Sequence, residues 1–263
     1  MESKDTVKLT TFHRSKHICS ISPFGLKLET WMRLAKIPYE TEYAWSPGAN
    51  KQTGQIPFIT FNGEQVDDSN NIIRYLSKQF AVNTDEDLTS EQSLISHTFQ
   101  RMLDEHTSWS IFYYRYVDDP LTFVSSPDIF PSLKAPHFAN NPNKETVLSE
   151  AMKKMFDTRA KAQGIGRKPK EEIYRIGMED IRVLSEYLGD KKYMFGDKPT
   201  KLDCGMFGLL SQVVYVPIPS YPHKIMIEEE CRNLIDHTNR IKELLWPDWD
   251  SLCDTNSNSN DTK

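Results

Sequence analysis

The chain has 263 residues, of which 38% are hydrophobic and 26% charged, and its formal charge is −5. That length and composition suit a water-soluble globule of two domains sharing a contact, and charges of both signs interleave with no basic run among aromatics, which argues against a nucleic-acid surface. The longest apolar stretch, Met206 to Ile218, is broken by Gly208, Ser211, Gln212 and Pro217 and falls short of the roughly 18–20 residues that span a bilayer.

The opening MESKDTVKLT has no secretory apolar core. Val7 to Phe12 has strand character, and the polar loop after it ends in Ser22-Pro23. Serine before proline is a helix start, because the hydroxyl can cap free amides while the proline sits in the first turn, where its missing N–H costs nothing. Phe24, Leu28, Trp31 and Ala35 recur at helical spacing until Pro38 stops the helix. Tyr39 to Tyr43 alternates as a second strand. Phe58–Phe61 and Glu64–Val66 flank Asn62-Gly63, the preferred turn of a two-residue hairpin. Asp68-Ser69 then precedes an apolar stripe of Ile72, Ile73, Leu76 and Phe80. The order is βαβββα, a thioredoxin-like α/β unit.

The remainder reads as all-helical. Glu86 to Val117 has the length and apolar content of one long helix, and Pro120, Pro127, Pro131, Pro136 and Pro142 punctuate an elaborate loop. Glu145–Gln163 and Glu171–Tyr187 are two more helices, separated by Gly164, Gly166 and Pro169. Thr200-Lys201-Leu202-Asp203 is a capping box, with Asp203 reaching back to the Thr200 amide. The expected divisions are residues 1–82 for the first domain, 83–250 for the helical domain and 251–263 for a polar tail without order. Cys19, Cys204, Cys231 and Cys253 form no CxxC pair, so neither a zinc site nor a disulfide framework is expected, and a reducing cytoplasm is the expected compartment.

Ser22-Pro23-Phe24, Gln55-Ile56-Pro57, Asp68-Ser69 and the Thr200 box, at these intervals and on these elements, resemble the glutathione-transferase pattern. The wording SPFGLKLETWMRLAKIPYE, GQIPFI, DSNNIIRYLSKQF and MFGDKPTKLDCGMFG is similar to the failed-axon-connections and metaxin-like branch, over roughly Val7 to Trp249. The resemblance implies the glutathione-transferase fold: a thioredoxin-like domain followed by an all-α domain, commonly paired into a homodimer. It implies glutathione as co-substrate, its thiol directed at a small apolar electrophile. The alternative it permits is a catalytically weak or inactive adaptor with a protein partner. No membrane span and no nucleic-acid partner are expected.

Glutathione is an acidic tripeptide whose thiol has a free pKa above neutrality, so an enzyme must hold its backbone and favour the thiolate. The resemblance assigns those tasks to particular residues. Pro57, held cis after Ile56, would turn the Ile56 backbone toward an extended ligand; the alternative is an ordinary trans proline starting a strand. Asp68 and Ser69, at a helix N-terminus, would take the γ-glutamyl ammonium and carboxylate, although helix capping alone also accounts for Ser69. Gln55 is a further polar contact. Ser22, with Ser20 as fallback, occupies the catalytic position and would donate a hydrogen bond to the sulfur; it is equally a helix cap. Gly25 stands where relatives carry cysteine, which disfavours thiol-reductase chemistry. Cys19 reads as a passive buried thiol. Trp109, Tyr113 and Tyr116, with Phe112 and Tyr114, read as core packing or as an apolar substrate wall. His13 and His17 lie in a loop, a poor arrangement for a metal, and Glu228-Glu229-Glu230 is a solvated face.

Overall fold

The computed structural model describes residues 6–44, 50, 53–126, 129 and 140–253. β1 (Val7–Phe12) leads through the polar loop into α1 (Pro23–Leu34), followed by β2 (Tyr39–Ala44), β3 (Phe58–Phe61), β4 (Glu64–Asp67) and α2 (Ser69–Gln79). The sheet order is β2-β1-β3-β4. β1 runs parallel to β2 with Val7 opposite Tyr39, and antiparallel to β3 with Leu9 opposite Ile59. Asn62 and Gly63 have φ of 51° and 80°, the positive pair that the hairpin turn needs. This is the expected thioredoxin-like unit.

The helical body contains α3 (Ser90–Met102), α4 (Ser108–Tyr113), α5 (Pro120–Ser125), α6 (Lys144–Gln163), α7 (Lys170–Leu188), α8 (Lys201–Val214), α9 (Pro222–Glu230), α10 (Arg232–Leu245) and α11 (Trp249–Cys253). The single long helix expected over Glu86–Val117 starts later. A second capping box sets its first turn: the Thr89 hydroxyl accepts from the Gln92 amide at 3.2 Å, and Gln92 Oε1 accepts from the Thr89 amide at 2.9 Å. The helix is also not uniform, since Leu103–Thr107 and Tyr114–Asp118 are π-helical turns on either side of α4. The proline-rich stretch is not all loop. Asp119 accepts from the Thr122 amide and Pro120 occupies the first turn, which makes α5. Pro127, Pro131, Pro136 and the tail beyond Cys253 lie outside the described residues.

α1 is buried almost all round, as a helix between two layers must be. One side packs on the sheet with Leu28, Trp31 and Met32. The other meets α8, where Gly208 permits close approach: a Cβ there would lie 2.5 Å from the Pro23 carbonyl oxygen. The two cores interlock, with Cys204 of α8 in the cluster on the sheet and Ile18, Cys19, Ile21 and Leu26 in the cluster of the helical body.

The C-terminal segment closes on the same helix. Trp246 Nε1–H donates to Thr30 Oγ1 at 3.1 Å, the Arg33 guanidinium lies 3.9 Å from the centre of a Trp246 ring, and Arg33 pairs with Asp248 at 2.6 Å. Cys19 Sγ is 3.5 Å from Cys253 Sγ. Burial pushes the Cys19 thiol up, and the neighbouring Cys253 adds to the shift, as expected of a passive thiol. At the start of α8, Asp203 Oδ2 accepts the Thr200 amide at 2.8 Å, while its Oδ1 accepts from Met194 N and His237 Nε2.

Candidate ligand cleft

The loop before β3, the start of α2 and the first π turn surround a cleft of about 360 Å³ between the sheet unit and the helical body. Gln55, Ile56, Pro57, Asp68 and Ser69, all expected to contact the ligand, line it together. The Ile56–Pro57 peptide is cis. Ser69 is 3% exposed, and its hydroxyl makes no hydrogen bond within the described residues.

Asp68 does two jobs. It caps α2, its Oδ1 accepting the Asn70 and Asn71 amides at 3.0 Å each, and it stays exposed at the cleft edge. Its φ of 67° lies in the left-handed region that aspartate and asparagine tolerate better than most residues.

Ser22 caps α1. It is 6% exposed, its Oγ accepts the Gly25 amide at 3.1 Å, and it is not among the residues lining the cleft. Ser20 is fully buried and its Oγ accepts the Ser22 amide at 3.2 Å. Both hydroxyls are thus used in shaping the first turn of α1. Gly25 belongs to the same packing, because a Cβ there would lie 2.6 Å from Thr11 Oγ1. A side chain such as a cysteine's would need the buried Thr11 side chain to move.

The apolar wall also differs from the expected one. Trp109 lines the cleft, joined by Phe24 and Phe112, which meet edge-on at 6.2 Å between ring centres. Tyr113 packs on Tyr174 at 6.3 Å, and Tyr116 is buried and stacked on Phe156 at 4.1 Å; neither lines the cleft. Trp109 and Tyr113, four apart on the regular turns of α4, both pack against Ala160, Ile165 and Ile173, while Tyr116 falls in the second π turn.

The floor is a buried polar network that sequence reasoning did not identify. Lys27 Nζ donates to both oxygens of Asp104 at 3.0 Å and to Asn70 Oδ1 at 3.2 Å. Asn70 Nδ2 and Gln100 Nε2 also donate to Asp104, at 2.8 and 3.0 Å. Asp67, Asp68, Asp104 and Glu105 put four carboxylates on the lining, and among the described residues no lysine, arginine or histidine lines it. Lys27 neutralises Asp104 from behind, and the positive end of α2 offsets part of Asp68. The described lining therefore favours an ammonium over a carboxylate.

Comparison with known proteins agrees with this architecture. Residues 23–121 match the glutathione S-transferase N-terminal domain, and residues 177–241 match the glutathione S-transferase C-terminal domain. The chain is 37% identical over 260 residues to Failed axon connections of Drosophila melanogaster, covering 95% of this chain and 60% of that protein. It is 27% identical to isoprene-epoxide–glutathione S-transferase of Rhodococcus sp. (strain AD45), over 86% of this chain and 93% of the relative. It is 25% identical to human Metaxin-1, over 88% of this chain and 49% of the relative. The chain thus spans less than two thirds of the length of Failed axon connections and about half that of Metaxin-1. The solved beta-etherase LigF from Sphingobium sp. strain SYK-6 superposes with a TM-score of 0.62 at 15% identity, covering 90% of this chain and 94% of that one. A glutathione S-transferase of Ceriporiopsis subvermispora in complex with glutathione superposes with a TM-score of 0.52 at 16% identity, over 90% and 96% of the two chains.

Proposed function

The chain belongs to the glutathione S-transferase superfamily, and on that premise we propose that it is an interaction protein of the failed-axon-connections type that keeps a cleft for an extended, amine-bearing peptide and has little or no conjugating activity. The observation that carries this reading is the use of the Ser22 hydroxyl as a helix cap: it accepts the Gly25 amide of α1, while Ile56, Pro57, Asp68 and Ser69 line the ligand space together. Groups suited to binding are assembled there, and the Ser22 hydroxyl is engaged in capping α1. The likeness to Failed axon connections over nearly the whole chain supports the same reading.

In this proposal glutathione is a ligand of the cleft. Its γ-glutamyl ammonium meets Asp68, its γ-glutamyl carboxylate meets the Ser69 hydroxyl and amide at the start of α2, and its cysteinyl unit runs along the Ile56 backbone. The glycyl carboxylate would enter an already acidic cleft. Esterifying it should therefore tighten binding, a result an ordinary glutathione site would not give. The protein works in the cytoplasm as a homodimer, with a protein partner engaged outside the cleft.

The second reading is a transferase that directs glutathione at a small apolar electrophile against Phe24, Trp109 and Phe112. It is favoured by the likeness to the Rhodococcus transferase. Calorimetry with glutathione and its glycyl ester, paired with conjugation of a generic aryl halide, decides between the two. Binding with no conjugation above the uncatalysed rate supports the interaction protein, and clear turnover overturns it.

A further inference from the structure

A second cavity, of about 250 Å³, lies behind the cleft floor, where α1, α2 and α3 meet the first turn of α8. Asn70 lines both cavities. The chemistry reverses across that residue, because Arg74, His97, Arg101 and Lys201 line the second space.

The charges there are not balanced locally. Asp85 is the one carboxylate among the described lining residues, and it is already committed to Lys201, with Oδ2 3.2 Å from the ammonium and Oδ1 accepting the Lys201 amide at 2.9 Å. Arg74 donates to a neutral partner, Asn71 Oδ1, at 3.2 Å. Arg101 comes no closer than 3.9 Å to Glu105, and both of those side chains are well exposed. Two guanidinium groups therefore border the cavity with no carboxylate at hydrogen-bond distance. This occurs in a chain whose formal charge is −5. Asn83 and Ser77, also on the lining, add neutral donors. A planar guanidinium presents paired N–H groups that match the oxygens of a phosphate.

We propose that this cavity binds a phosphate-class oxyanion, held between Arg74 and Arg101. A phosphate group is much smaller than the cavity, so room remains for a second phosphate or for the organic part of a small phosphomonoester. Neither arginine lines the cleft, so variants at those two positions leave the cleft's own lining in place.

The test is calorimetric titration of the full chain, in a phosphate-free buffer at constant ionic strength, with inorganic phosphate, pyrophosphate and sulfate. Phosphate should bind, and pyrophosphate more tightly. Arg74→Gln and Arg101→Gln should each weaken binding about tenfold, the loss of one charge-assisted contact, and the double variant should abolish it. Lys198→Gln removes an exposed cation paired with Asp87 away from this cavity and should change nothing. No saturable heat with any of the three anions overturns the proposal, as does equal weakening by Lys198→Gln, which would indicate general charge screening. Equally fatal is a parent dimer that becomes monomeric in the double variant and binds no phosphate in either form, because the arginines would then serve a second copy of the chain. Glutathione affinity, measured on the same variants, should stay at the parent value. Its loss in the parent as well would count against the cleft reading alone.

Discussion

Lys27 on α1 and Asp104 in the first π turn of the long helix form one ion pair across the sheet unit and the helical body, 3.0 Å from the ammonium to each oxygen, with the two side chains 2% and 7% exposed. The pair lies under the cleft and fixes Asn70 and Gln100 around it. It sets the spacing between the two walls on which a ligand would rest.

Asp104→Asn leaves the Lys27 ammonium buried without its counter-ion, and a loss of about 3–5 kcal/mol in unfolding free energy is expected. Burial already holds the Lys27 pKa below its ordinary value, against the opposing pull of Asp104. Between that lowered value and the unfolded one the denatured chain binds more protons, so stability rises with pH through this alkaline window. Removing Asp104 lowers the folded pKa further and widens the window toward neutrality. Urea midpoints taken from neutral pH to about pH 10 should climb more steeply in the variant than in the parent; parallel profiles would show that the pair carries little weight.

Ser22→Ala removes the acceptor for the Gly25 amide. The expected cost is about 0.5–2 kcal/mol of stability, with glutathione affinity unchanged and the titration of its bound thiol unaltered. Thermal melts and ultraviolet thiolate absorbance report the two effects separately. A raised thiol pKa together with slowed conjugation would put the hydroxyl at the sulfur and favour the transferase reading.

Asp68→Asn isolates charge from capping. Asparagine caps a helix about as well as aspartate and also tolerates the positive φ found here, so the fold should hold. Loss of the charge-assisted contact to the ligand ammonium should remove roughly 1.5–3 kcal/mol of binding, tenfold or more in affinity. Calorimetry with glutathione reads this directly, and an unchanged affinity would move the ammonium away from Asp68.

Sedimentation should give a mass near twice 30.5 kDa, as expected of the proposed homodimer. A monomer at every concentration would refute that assignment and leave the cleft untouched.

Much of this architecture was legible because it rests on local chemistry. The serine–proline start of α1, the Asn62-Gly63 turn and the Asp203 box are each specified by a few neighbouring residues, and the family likeness marked Ile56, Pro57, Asp68 and Ser69 as one surface. The long helix resisted the same approach. Its two π turns each shift the residues that follow relative to regular 3.6-residue spacing, so a periodic pattern could not place Tyr116 relative to Trp109 and Phe112, and Tyr113, next to Phe112 on the same regular turn of α4, is set apart only by its packing on Tyr174. The Thr89-x-x-Gln92 box was visible in the sequence but lay inside a stretch already read as helix. Lys27 and Asp104 are ordinary surface residues by type, and only the fold brings them together, 77 positions apart.

The seating of Trp246 against Thr30 and Arg33, and of Cys253 against Cys19, bears on how the molecule comes apart. α1 is the central helix of the thioredoxin-like unit, yet much of its surface is covered by segments contributed after residue 200. The unit is consequently not an autonomous folding module. A fragment ending before α3 would present Leu26 and Pro23 to water along with the uncompensated Lys27 ammonium, and it would have no means of burying them. The full chain should melt in one cooperative transition, with the sheet and the C-terminal helices losing structure together.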